Sequence, residues 1–204
     1  MDLLGLDWKE DRETLYLQHN DDPALGTEKL AHLSASEYVD CGHVTEQEFS
    51  GFFKFGFVRN PWTRILSEYR YRNYFHHHSF RDFVFNKMPQ PGFDDKYRHV
   101  MPQYDMLHDK DGRLLVDFVG RFETLQRDFD RVCEKLGLEN SLLPHRNPSD
   151  KKSRDLKRRL RNILFMNGEN RHHGLNDFYD DETREAVADY YRIDIETFGY
   201  TFNE

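Results

Sequence analysis

One stretch of the chain combines residue types and spacing suited to holding an anion: Phe57-Val58-Arg59-Asn60-Pro61-Trp62-Thr63-Arg64-Ile65-Leu66-Ser67-Glu68-Tyr69-Arg70. Arg59 stands where an apolar run ends, and Asn60 and Pro61 follow it as N-cap and first helical residue. A guanidinium at that point lies beside unpaired backbone N–H groups and the positive end of a helix dipole, surroundings that suit a phosphate. Ser67 comes seven residues after Asn60. At 100° per residue this brings it back to within about 20° of the same azimuth, roughly 10 Å further along the axis. Arg59 and Ser67 can then share one anion laid along the helix, the arginine through a bidentate contact and the hydroxyl through a further hydrogen bond. A strand-end arginine in an ordinary salt bridge, with Ser67 as a neutral helix residue, satisfies the same pattern.

The elements that must position these side chains follow from periodicity. Residues 51–58 form an aromatic, β-branched run of strand length that Arg59-Asn60-Pro61 ends. From Trp62 the apolar spacing changes: Trp62, Ile65, Leu66 and Tyr69 fall on one face of a helix. A second strand is expected at Leu114–Gly120, then a helix at about 123–136 with Leu125, Phe129, Val132 and Leu136 on one side and Gly137 as its stop. A basic amphipathic helix is expected at 151–161 and a last helix from about Glu182 to Tyr191. Residues 1–50 read as polar turns and short helical stretches broken at Asp21-Asp22-Pro23, and 75–112 as loops. Strand-then-helix units at this spacing predict a single α/β domain with a mainly parallel sheet flanked by helices.

The chain has 204 residues, 37 acidic against 29 basic, 37% hydrophobic and 15% aromatic, enough apolar material for a core. Its apolar runs are far shorter than the roughly 20 residues that cross a bilayer, so no membrane span is expected. Cys41 and Cys133 make neither a disulfide framework nor a metal knuckle. Residues 1–50 hold 12 acids and 3 bases, so the negative excess sits in the first quarter. Between Arg146 and Arg161 eight bases face only Asp150 and Asp155. An acidic chain with one basic stretch suits a compact anionic ligand better than nucleic acid, although a solvated helix face gives the same pattern. No metal is expected: the adjacent histidines at 76–78 and 172–173 cannot all face one ion on regular structure.

The segment from Phe57 to Arg70 resembles the 3′-phosphate-binding motif of the carbohydrate-type sulfotransferases, the family of heparan sulfate 2-O-sulfotransferase and its bacterial relatives. Phe52-Phe53-Lys54-Phe55, Gly120-Arg121-Phe122-Glu123-Thr124-Leu125 with Asp128-Phe129, and the ending Asp194-Ile195-Glu196-Thr197-Phe198-Gly199-Tyr200 are similar to further family motifs. The resemblance spans about residues 30–202. It implies a P-loop-like fold and transfer of sulfate from 3′-phosphoadenosine 5′-phosphosulfate (PAPS) to a hydroxyl of a carbohydrate or glycoconjugate. Arg59 and Ser67 would hold the 3′-phosphate. Leu143-Pro144-His145-Arg146-Asn147 is similar to a stretch leading into a cofactor-contacting loop, which implies cofactor contacts at Asn147, Ser149 and Lys151. An acceptor hydroxyl needs a base as its new bond forms, and histidine suits that task. The segment around His32 is similar to the one that carries the family's catalytic histidine, and His43 is the alternative.

Family members open with a strand and a Lys-containing Gly, Thr and Ser loop around the 5′-phosphosulfate. Nothing before His32 reads that way, so the first strand is expected to be absent and residues 1–204 to form an N-terminally incomplete domain. A non-catalytic sulfotransferase-like module that binds nucleotide or glycan is the alternative this suggests. The resemblance implies a cytoplasmic location for a bacterial chain and a Golgi membrane location for part of a eukaryotic one.

Overall fold

Asn60 starts the helix on which the rest of the fold hangs. Its side-chain oxygen accepts hydrogen bonds from the N–H groups of Trp62 and Thr63 at 3.1 and 3.4 Å. Pro61 needs no donor partner there, so the helix begins cleanly. The computed structural model describes residues 5–7, 9–139, 142–143 and 174–203. In it the chain runs through short helices α1 (Glu37–Asp40) and α2 (Glu46–Gly51), strand β1 (Phe55–Val58) and α3 (Pro61–Tyr71). There follow α4 (Phe80–Asp82), α5 (Gln103–Leu107), β2 (Phe118–Arg121), α6 (Leu125–Leu136), α7 (Asp181–Tyr190) and α8 (Arg192–Phe198). The expected basic helix at 151–161 lies outside the described residues.

The two strands pair in parallel, Phe55 opposite Phe118 and Val58 opposite Arg121. Helices with this small parallel pair are what an α/β chain requires, and among the described residues no strand precedes β1. Both strands are shorter than periodicity predicts. Thr45 and Glu48 form a capping box, Thr45 Oγ1 accepting from Glu48 N and Glu48 accepting from Thr45 N. The helix so started runs through Gly51 and removes the first residues of the expected strand. At β2, Leu114 bridges back to His108 around a turn at Asp109, whose carboxylate accepts from the N–H groups of Asp111 and Arg113. Pairing with β1 is therefore delayed to Phe118.

Gly120 shows why the sheet can be this tight. A Cβ there would lie 2.5 Å from the Phe57 ring and 3.2 Å from Asp128 Cβ, so only glycine fits between β1 and α6. Beyond Gly120, the buried Asp128 carboxylate accepts from Arg121 N, Thr124 Oγ1 and Arg127 Nε. Burial pushes this carboxyl up, but those hydrogen bonds outweigh it and hold the pKa at about 2. α6 ends at Gly137, whose φ of 68° is the left-handed conformation expected of a helix stop. Leu136, expected on its buried side, is 44% exposed.

α3 buries Trp62, Ile65, Leu66 and Tyr69 against Phe80, Phe83, Val100, Tyr179, Val187 and Tyr191, as its spacing predicts. Buried polar tips are satisfied: Trp62 Nε1 donates to the Arg184 carbonyl at 3.0 Å and Tyr179 donates to the Trp62 carbonyl at 2.9 Å. α7 and the Tyr179 that precedes it thus clamp the first turn of α3, and the exposed side of α3 is left for other work.

Candidate active site

At the start of α3, Arg59 is held through its backbone. Gln103 on α5 accepts from Arg59 N–H and donates to the Arg59 carbonyl, both at 2.8 Å. Gln103 is itself fixed by the buried Asp194 of α8, which accepts from the backbone N–H groups of Gln103 and Tyr104 at 2.9 and 2.8 Å. Glu123 accepts from Asn60 N–H at 2.8 Å and from the Tyr200 hydroxyl at 3.2 Å. The stretches around residues 120–125 and 194–200 therefore brace the end of β1.

The Arg59 side chain leans along α3. Its Nε donates to Thr63 Oγ1 at 3.1 Å, and its guanidinium lies over the Phe122 ring, 4.4 Å from the centroid. Among the described residues its two Nη groups have no hydrogen-bond or ion-pair partner. Burial pulls its pKa down, opposed by the charge of Glu123. Thr63 and Ser67 are i and i+4 on one helix face, about 6 Å apart along the axis. Ser67 is half-buried, and its Oγ makes no hydrogen bond to a described residue. Arg59, Thr63 and Ser67 thus form a row with its donors at either end uncommitted, which fits a phosphate-bearing ligand.

The far end of α3 carries a second cluster. His32 Nδ1 bonds to Asp95 Oδ1, a buried carboxylate. Asp95 Oδ2 lies 3.0 Å from Lys29 Nζ, 3.3 Å from His99 Nε2 and 3.4 Å from Arg72 Nη2. Glu68, next to Ser67 in sequence, bonds Arg72 Nε at 2.7 Å and His99 Nδ1 at 3.1 Å. Burial pushes the Asp95 carboxyl up, but hydrogen bonds from His32 and Lys29 and the charges of His32 and His99 more than offset it, and its pKa is lowered to about 2. His32 Nε2 has no partner among the described residues, and His32 lines a cleft of about 320 Å³ with Arg12, Gln18 and Lys29. Gln18 Oε1 is buried there without a hydrogen bond to any described residue.

His32, Asp95 and His99 each offer a ligand atom within 4.8 Å of the others, the donor set of a metal centre built from two histidines and one carboxylate. Lys29 and Arg72 already bring two positive charges to that carboxylate, so the arrangement suits a histidine base better than a divalent cation. His43 stands apart. Its Nε2 is 2.8 Å from the Leu25 carbonyl and must donate to it, and its ring packs edge-on to Tyr16 at 5.5 Å. Asn147, Ser149 and Lys151 lie outside the described residues, as do His172 and His173.

Periodicity missed Gln103, Asp95 and His99. The Glu68–Arg72 and Asp95–His99 spacings of four were visible as pairs, but a separation of 63 positions between His32 and Asp95 leaves no local trace. No helix among the described residues is long and apolar enough to cross a membrane.

The chain is 34% identical over 107 residues, 48% of its own length and 79% of the relative's, to an uncharacterized protein of Archaeoglobus fulgidus. No solved structure matches it. Residues 17–201, which include His32, Arg59 and Ser67, match the sulfotransferase family, and the chain belongs to that family.

Proposed function

We propose that this sulfotransferase takes its sulfuryl group from PAPS and delivers it to a hydroxyl of a carbohydrate or glycoconjugate. The observation that carries the reading is the row on α3: among the described residues, both Arg59 Nη groups and Ser67 Oγ have no partner, Arg59 is braced by Phe122, and Ser67 lies on the same helix face as Thr63. These two side chains hold the 3′-phosphate. PAPS, when bound, supplies a sulfuryl group on a good phosphate leaving group. His32 receives the acceptor's proton on Nε2 as the oxygen–sulfur bond forms, which leaves a sulfate ester, adenosine 3′,5′-bisphosphate and a protonated imidazole. The cleft beside His32, with the unpartnered Gln18 Oε1, is where a hydroxyl-bearing acceptor is received. Asn147, Ser149 and Lys151 add further contacts to the donor.

Calorimetry with adenosine 3′,5′-bisphosphate and adenosine 5′-monophosphate tests the donor. The bisphosphate should bind at least tenfold more tightly, and Arg59→Ala should erase the difference. Equal binding of both nucleotides by the unaltered chain would refute the assignment. Binding without sulfate transfer to any glycan offered would leave a nucleotide-binding module in place of an enzyme.

A further inference from the structure

We propose that Asp95 is the positioning residue of this site: it holds His32 as the tautomer with Nδ1 protonated and Nε2 bearing the lone pair, and Glu68, Arg72 and His99 tie it to α3. The inference rests on the reading of His32 as the base. An ionised carboxylate only accepts hydrogen bonds, so the proton between His32 and Asp95 Oδ1 belongs to the ring. A neutral imidazole has one N–H, which leaves Nε2 as the basic nitrogen.

Asp95 cannot swing away from this duty. Its Oδ2 faces Lys29, His99 and Arg72, and its backbone N–H donates to Glu28 at 2.9 Å. The ring cannot readily flip either, because His99 packs edge-on against it with centroids 5.0 Å apart and planes at 87°. His99 and Arg72 are in turn held by Glu68, the residue directly after Ser67. One turn of α3 therefore presents a hydroxyl on one side and fixes the base's carboxylate on the other. Any rotation of the helix that displaces Ser67 also displaces the support of Asp95, so the donor grip and the base stay in register.

Long-range proton–nitrogen NMR of the 15N-labelled chain at pH 8 tests this, with the His32 ring signals assigned by their loss in His32→Gln. The Nδ1–H tautomer is expected in the unaltered chain and in Asp95→Glu, and its loss in Asp95→Asn. Asp95→Asn should also lower kcat for sulfate transfer at least 100-fold while binding of adenosine 3′,5′-bisphosphate stays within twofold, and Asp95→Glu should recover at least tenfold of the rate. An Nε2–H tautomer in the unaltered chain would overturn the proposal even if Asp95→Asn fails to fold. So would full activity of Asp95→Asn. If the unaltered chain transfers no sulfate, the reading of the chain as an enzyme falls, while the tautomer still decides the role of Asp95.

Discussion

Gln103 grips both backbone polar groups of Arg59, its carboxamide oxygen 2.8 Å from the amide nitrogen and its Nε2 2.8 Å from the carbonyl. Because α5 supplies this clamp, the exit angle of Arg59 from β1 depends on a residue 44 positions away. Truncation as Gln103→Ala leaves two largely buried backbone groups unpaired and costs about 1–3 kcal/mol of stability. It should also weaken binding of adenosine 3′,5′-bisphosphate about tenfold. Urea unfolding and calorimetry on the same sample read the two effects.

Ser67→Ala separates binding from folding. Its Oγ bonds no described residue, so unfolding free energy should change by less than about 0.5 kcal/mol. A hydroxyl hydrogen bond to a charged phosphate is worth roughly 1.5 kcal/mol or more, so affinity for the bisphosphate should fall about tenfold. A mutant that loses stability and keeps affinity would show Ser67 to be a packing residue.

Gly120→Ala should be strongly destabilising for a residue with so little to change. The added methyl would meet the Phe57 ring at 2.5 and 2.7 Å and Asp128 Cβ at 3.2 Å. Overpacking of this kind costs about 1–3 kcal/mol, and the displaced Phe57 lies in β1, two residues before Arg59. The midpoint of urea denaturation should drop, and affinity for the bisphosphate should drop with it.

Acid stability has a defined window. The Asp95 and Asp128 pKa values are each lowered from 3.8 to about 2. Their contribution is fully present above the unfolded value near pH 4 and is lost as pH falls through about 2. A shift of this size at side chains only 5% and 4% exposed corresponds to roughly 2 kcal/mol each. Unfolding free energy measured from pH 6 to pH 2 should fall accordingly, and Asp128→Asn should flatten the curve.

What could be read along the chain was local. The Asn60 cap, the Trp62–Tyr69 apolar stripe, the Gly137 stop and the Arg59–Ser67 spacing all depend on contacts within a few residues, and each is expressed in composition and period. The Thr45–Glu48 capping box was equally local, and it accounts for the late start of β1. Tertiary structure alone decided which histidine gained a carboxylate. His32 and His43 carry the same side chain, yet the segment bearing Asp95 folds back against His32, while His43 meets a backbone carbonyl. Residues brought together across 63 positions share no period and no turn chemistry, because the free energy that joins them comes from burying the apolar face of α3 and from charge pairing at its end that offsets the cost of desolvation.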